Sequence, residues 1–232
     1  MSKTTPAIQV EGVTKVYAEG TEAETDALTD VSFSIQPGDF VAIIGPSGSG
    51  KSTLLNLIGG LDRPTHGKVL IDGVDISRIP NSELARIRNG KIGFVFQSFN
   101  LIGRITAVEN VELPLLVTPM PRTEVRKRAL SLLEQFGIGG KADRKPSQMS
   151  GGEQQRVAVA RALATDPLVL LGDEPTGNLD SKSTQVMVDL FTKLNREMKK
   201  TIVVITHNLE IASKFKRVIS LRDGKVVEIY EN

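Results

Sequence analysis

An α/β fold is what this sequence predicts: a parallel sheet flanked by helices, preceded by antiparallel strands and interrupted by a helical insertion. Three observations carry that expectation. The apolar run Phe40-Val41-Ala42-Ile43-Ile44 reads as a buried strand. It leads through Gly45-Pro46-Ser47-Gly48-Ser49-Gly50-Lys51-Ser52 into Thr53-Leu54-Leu55-Asn56-Leu57-Ile58, a helix closed by Gly59-Gly60. Leu168-Val169-Leu170-Leu171 and Thr201-Ile202-Val203-Val204-Ile205-Thr206 read as further buried strands, the first of the fully apolar sort that parallel sheets cover on both faces. From Leu101 to Lys145 the pattern becomes helical and more charged, as an insertion into that core would be.

Taken in order, Ile8 to Tyr17 alternates apolar and polar residues, a strand with one buried face. Ala18 to Asp26 holds Gly20 and four acidic residues and reads as an exposed hairpin loop. Leu28 to Ile35 alternates again, and Pro37-Gly38-Asp39 turns the chain into the glycine-loop strand. Asp62 to Gly67 is a loop, Lys68 to Ile71 a strand and Asp72-Gly73 a tight turn. Asn81 or Ser82 is placed to cap a short basic helix through Arg88, and Ile92 to Phe96 is a strand ending at Gln97. Thr106 is placed to cap a helix from Ala107 to about Val117, bent by Pro114, before Pro119-Met120-Pro121 breaks the chain. Val125, Ala129, Leu132, Leu133 and Phe136 recur at helical spacing from Arg122 to Phe136, and Gly137 ends that helix. Ser150-Gly151-Gly152 opens a helix that continues through Val157 to Ala164, and Asp166-Pro167 stops it. A long helix from Ser181 or Lys182 to Lys200 carries the apolar row Val186, Leu190, Leu194 and Met198 at four-residue steps. Val218 to Leu221 and Lys225 to Ile229 form a terminal hairpin about Asp223-Gly224.

A chain of 232 residues suffices for one large α/β domain or one domain with a subdomain. Its 40% hydrophobic and 24% charged residues are ordinary for a folded protein, and a formal charge of +2 offers no electrostatic argument for nucleic acid. With no cysteine, disulfides and thiolate metal sites are excluded. No apolar run approaches the roughly 18 residues of a membrane-spanning helix, so no direct membrane insertion is expected. The start, Met1-Ser2-Lys3-Thr4-Thr5-Pro6, is short and polar and no secretory apolar segment follows, so the expected location is the cytoplasm. Such a chain can still dock on a membrane partner.

The loop Gly45 to Ser52 matches G-x-x-x-x-G-K-[ST] at every fixed position, in the strand–loop–helix context the pattern needs. Its glycines let backbone N–H groups turn around phosphate oxygens, and the helix start adds partial positive charge. Lys51 is placed to reach the β- and γ-phosphates and the Ser52 hydroxyl to ligate Mg²⁺. By itself the loop implies a nucleoside triphosphate and no particular reaction. Asp173 and Glu174 end the strand that begins at Leu168, at the sheet edge where such folds bind ligands. Asp173 suits a Mg²⁺ contact through water, and Glu174 suits a general base that polarises an attacking water. Ser150-Gly151-Gly152 is a second helix start with free N–H groups and a hydroxyl. Two phosphate-binding ends are hard to fit in one nucleotide pocket; a head-to-tail pair of chains resolves this, whereas seen alone the tripeptide is equally an ordinary serine cap.

In this ordered set the chain resembles the nucleotide-binding subunit of ATP-binding cassette (ABC) transporters, from Ile8 to Ile229. The resemblance implies a P-loop NTPase (RecA-like) core with an N-terminal antiparallel β subdomain and an inserted helical subdomain. It makes residues 1–232 a single ABC ATPase domain, with about 1–100 and 146–232 as catalytic core and about 101–145 as the helical subdomain. Gly45 to Ser52, with Thr53, stands as Walker A, Gln97 as the Q-loop glutamine and Met149 to Glu153 as the signature sequence. Asp173-Glu174 ends Walker B, Asn178-Leu179-Asp180 is the D-loop, His207 the switch histidine and Tyr17 the ring that stacks on adenine. Read from the residues alone, Tyr17 is equally a strand aromatic of the core, His207 a structural strand-end histidine and Gln97 any surface glutamine. Met149 and Glu153 replace the usual Leu and Gln of the signature, and Gly172 a common Ala; Ser150, Gly151 and Gly152 are intact.

The resemblance further implies ATP bound with Mg²⁺ between Walker A of one copy and Ser150-Gly151-Gly152 of another. Ser52, Gln97 and Asp173 hold the metal, Glu174 activates water, His207 contacts the γ-phosphate, and Asp180 lies at the contact between copies. The implied partners are a second copy of the chain and integral membrane permease subunits, which set it on the cytoplasmic face of the cell membrane. Phe99, Leu101 and Ile102 are candidate permease contacts. Asp173 to Asp180 together with Glu109 to Leu115 looks like the lipoprotein-release, macrolide-export and cell-division branch. A soluble ABC ATPase of DNA repair or translation is the competing class, although the long coiled-coil insertion of the first and the second cassette of the other are missing. A phosphoryl-transfer kinase leaves the Ser-Gly-Gly helix unexplained, and intact Glu174 and His207 disfavour a non-hydrolysing subunit.

Overall fold

The computed structural model describes residues 5–232; the first four residues of the polar start lie outside the described residues. Strands β1 (Ile8–Tyr17), β2 (Thr25–Ile35), β4 (His66–Ile71) and β5 (Val74–Asp75) form an antiparallel sheet in the order β2-β1-β4-β5. Strands β3 (Phe40–Ile44), β6 (Ile92–Phe96), β7 (Val169–Asp173), β8 (Thr201–Ile205), β9 (Arg217–Arg222) and β10 (Lys225–Glu231) form the second sheet, ordered β10-β9-β3-β8-β7-β6. All neighbours in it run parallel except the β9–β10 hairpin. Among the described residues no helix is long and apolar enough to cross a membrane.

Every residue of β3 and β8 is buried, as their unbroken apolar runs require of strands covered on both faces. Their side chains alternate between two cores. Ala42, Ile44, Ile202 and Val204 point into one core; Val41, Ile43, Val203 and Ile205 point into the other. The first core is closed by α3 (Ala107–Glu112), α4 (Arg122–Gln135), α5 (Gly151–Ala162) and α6 (Ser181–Met198). The second is closed by α1 (Lys51–Ile58), α2 (Asn81–Lys91) and the antiparallel sheet. Helix α5 lies directly on β6: a Cβ at Gly93 would fall 2.2 Å from the Ala162 carbonyl, so only glycine admits that approach.

Four local expectations are corrected. Helix α2 starts after Pro80, which offers no side-chain cap; Asn81 is its first residue and accepts a bond from Arg63 instead, and the helix runs on to Lys91. The helix after Thr106 ends at Glu112 and gives way to a 3₁₀ turn over Leu113–Leu115, because Pro114 has no N–H to continue the α ladder. Helix α5 ends at Ala162, ahead of Asp166-Pro167. Helix α6 buries Met187, Val188, Phe191 and Leu194, whereas Val186 and Met198 are exposed. Steps of four turn about 400°, so a row spaced that way winds off the buried face. A short helix α7 (Leu209–Ala212), capped by Asn208, was not expected.

Candidate functional site

The loop after β3 and the first turn of α1 form one wall of a cavity of about 570 Å³. Gly50, at φ 94, is the residue before the helix and has no side chain to cap it, so the first N–H groups of α1 stay open toward the cavity. A Cβ there would meet the Ala27 carbonyl at 2.5 Å, which excludes any other residue. Lys51 is buried, and its Nζ donates to the carbonyls of Gly45 at 2.9 Å and Pro46 at 2.7 Å. The ammonium thus sits inside the curl of the loop, while Ser52 is exposed at its lip. Hydrophobic Leu54, Leu55, Leu57 and Ile58 anchor α1 in the core beneath.

The opposite wall is built by two parallel strand ends. Asp173 pairs in register with Phe96 on one side and Ile205 on the other. Glu174 therefore leaves the sheet beside Gln97 and near His207. Glu174 takes a left-handed φ of 44°, a conformation disfavoured for a non-glycine residue, and its N–H is fixed by the Ile205 carbonyl at 3.1 Å. Its Oε1 lies 3.0 Å from Nδ1 of His207, and both side chains line the cavity with Ser47 to Thr53. Asp173 is half-buried; burial, and then the neighbouring Glu174, raise its pKa, with Lys51 partly opposing. A cation would relieve that repulsion, and a serine hydroxyl with a carboxylate is a hard-oxygen donor set suited to Mg²⁺. Among the described residues no group of three or more acidic or histidine side chains could hold a metal alone, which fits an ion shared with phosphates. Gln97 is exposed at the end of β6; its Nε2 donates to Asn178 Oδ1 at 3.4 Å, and Asn178 Nδ2 donates to the Gln97 carbonyl at 3.1 Å.

Of the sequence candidates, Gly45, Pro46, Gln97 and Asp173 are not among the residues that line the cavity, and neither are Tyr17, Ser150, Gly151, Gly152 and Asp180. Ser150 caps α5 and exchanges bonds with Glu153: its hydroxyl accepts from the Glu153 N–H at 3.4 Å and its N–H donates to Oε2 at 2.9 Å. The Lys141 ammonium, then the Ser150 N–H, hold the Glu153 carboxyl below the usual glutamate range. Gly151 lies beside the Phe99 ring and Leu179. Asp180 caps α6 through the Ser183 N–H at 2.9 Å. Tyr17 is 39% exposed, which removes it from the core. Its hydroxyl donates to Asp62 at 3.0 Å, and the Lys15 ammonium lies 4.8 Å from the ring centroid. Thr25, Asp26 and Ala27 line the cavity and were missed, because Thr25 and Asp26 fall in the stretch read as a loop. The pairing of β2 with β1, Thr25 opposite Tyr17 and Asp26 opposite Val16, carries them over the phosphate loop.

Comparison with known proteins follows the same lines. The family model described as "ABC transporter" matches residues 28–177. The chain is 54% identical over 200 residues to the lipoprotein-releasing system ATP-binding protein LolD 1 of Chlorobium chlorochromatii, covering 86% of this chain and 81% of that protein. It is 47% identical over 224 residues to the macrolide export ATP-binding/permease protein MacB of Hyphomonas neptunium, covering 97% of this chain but only 34% of that longer protein. Its structure matches the dimeric post-hydrolysis cassette MJ0796 bound to ADP and Pi, from Methanocaldococcus jannaschii, at a TM-score of 0.88. Identity there is 49%, with 97% of this chain and 98% of that one covered.

Proposed function

This chain belongs to the ABC transporter family, and from that premise we propose how its residues share the work of an ATP-hydrolysing subunit. It is an ATP-binding subunit and an ATPase with the P-loop α/β fold of that family. The observation that carries the division of roles is the cavity that faces Lys51 and the α1 amides on one side and Glu174 with His207 on the other. The phosphates of ATP lie along Gly45 to Thr53, and the Lys51 ammonium exchanges its two carbonyl partners for phosphate oxygens. The exposed Tyr17 ring is the surface we assign to the base. Ser52, Asp173 and Gln97 are the residues we assign to Mg²⁺, which would neutralise phosphate charge when bound. Glu174 accepts a proton from the attacking water, and His207, bonded to it, stabilises charge on the γ-phosphate.

A second copy completes the site: Ser150, Gly151 and Gly152 lie away from the cavity of their own chain, and the N-terminus of α5 suits the γ-phosphate of another. Dimeric structures of the similar cassette MJ0796 support that pairing. The relatives named above favour a membrane permease as partner over DNA repair or translation machinery, with the lipoprotein-release or macrolide-export type first. Docking falls to the 101–145 region, at the cytoplasmic face of the membrane.

Glu174→Gln tests the scheme. Hydrolysis falls roughly 10²- to 10⁴-fold while ATP binding persists, and the variant becomes a dimer with ATP. Tagged and pulled from detergent-solubilised membranes with Mg-ATP, it brings down an integral membrane protein. Near-normal turnover removes Glu174 from its role, and recovery of ribosomes or DNA alone overturns the permease reading.

A further inference from the structure

Helix α5 carries two polar side chains turned inward, and each holds the backbone of a loop that follows a site strand. Gln155 is fully buried and donates from Nε2 to the Pro175 carbonyl at 2.7 Å, directly after Glu174. Arg161 donates from Nη1 to the Asn100 carbonyl and from Nη2 to the Phe99 carbonyl at 2.8 Å. Burial pushes the Arg161 guanidinium below the usual arginine value. A cation in that position depends on its two carbonyls. Those carbonyls belong to consecutive non-glycine residues in the left-handed region, Phe99 at φ 60 and Asn100 at φ 48. For phenylalanine this conformation is sterically disfavoured and persists only where its surroundings impose it.

We propose that Arg161 is a positioning residue for Gln97: its planar two-pronged donor holds the left-handed Phe99-Asn100 pair, and that pair fixes the direction in which Gln97 leaves β6. A point cation cannot span two carbonyls with the same fixed geometry. The proposal rests on the reading of Gln97 as a partner of magnesium and phosphate. It adds that α5 is the common strut of both loops, through Gln155 behind Glu174 and Arg161 behind Gln97. A displacement of α5 at its Ser150 end therefore reaches both residues.

The test is steady-state hydrolysis by the whole chain with Mg²⁺ titrated, together with hydrogen exchange of the amides at 97–101. Arg161→Met lowers kcat roughly 10- to 100-fold, the scale of a misplaced group, with KM for ATP within about twofold. It also raises the Mg²⁺ concentration for half-maximal rate and speeds exchange at 97–101. Arg161→Lys, which keeps the charge and loses the fork, is intermediate and covers the case in which Arg161→Met does not fold. Phe99→Gly alone sets the reference rate against which rescue is read. In the Arg161→Met background it restores most of kcat and slows exchange again, because glycine accepts the left-handed turn unaided. A merely structural arginine gives no such rescue. An equal loss with and without Phe99→Gly, or parent kcat and exchange in Arg161→Met, overturns the clamp. Gln97→Ala separates the two readings: parent kcat and Mg²⁺ dependence in it removes Gln97 from its role, while the exchange data judge the clamp independently.

Discussion

Asp173 and Glu174 are adjacent at the end of one strand yet sit in different surroundings. Asp173 stays half-buried in the sheet and has its pKa raised above 3.8 by burial and by Glu174, while Glu174 is swung out by its left-handed backbone to meet His207. The raised value makes Asp173 a pH-dependent liability in the nucleotide-free protein. Below pH 3.8 the folded and unfolded chains both hold the proton, and nothing is lost. Above it the unfolded chain ionises first, so native stability declines as pH rises until the folded pKa is passed. Asp173→Asn, without nucleotide or metal, therefore melts above the parent at pH 7, and the gap closes as the pH falls toward 3.8. A gap that is the same at both ends of a thermal-melt pH series rules out ionisation as its cause.

At the scale of elements, the helix that opens the 101–145 region illustrates how a few residues set a boundary. Thr106 and Glu109 exchange bonds across the first turn of α3, and Pro114 forces the change to a 3₁₀ turn after Glu112. Thr106→Ala costs about 1 kcal/mol in denaturant unfolding, with m unchanged. Signals of this local kind were legible in the sequence: the phosphate loop between strand and helix, the Thr106 and Ser150 caps, the carboxylates ending β7. What was not legible depends on pieces of chain meeting from far away. The buried face of α6 is chosen by the sheet it lies on, and four-residue counting misses it. Thr25 to Ala27 enter the cavity only because β2 pairs with β1. Arg161 looks like any helix arginine until the Phe99-Asn100 turn is folded against it.

For the whole molecule, the sheet containing β3, β7 and β8 separates one core from the other, and among the described residues none belongs to both. Leu57 is buried in the core under the phosphate loop and Leu133 in the core under the inserted helices. Each changed to alanine costs about 2–5 kcal/mol, and the double variant shows the sum to within about 0.5 kcal/mol by denaturant unfolding. A larger interaction term means the partition transmits packing strain. The same partition sets what each core supports: the inserted helices of 101–145 and the signature helix α5 rest on one, the phosphate loop and α1 on the other, so the sheet between them is the piece of structure common to both halves of the proposed work.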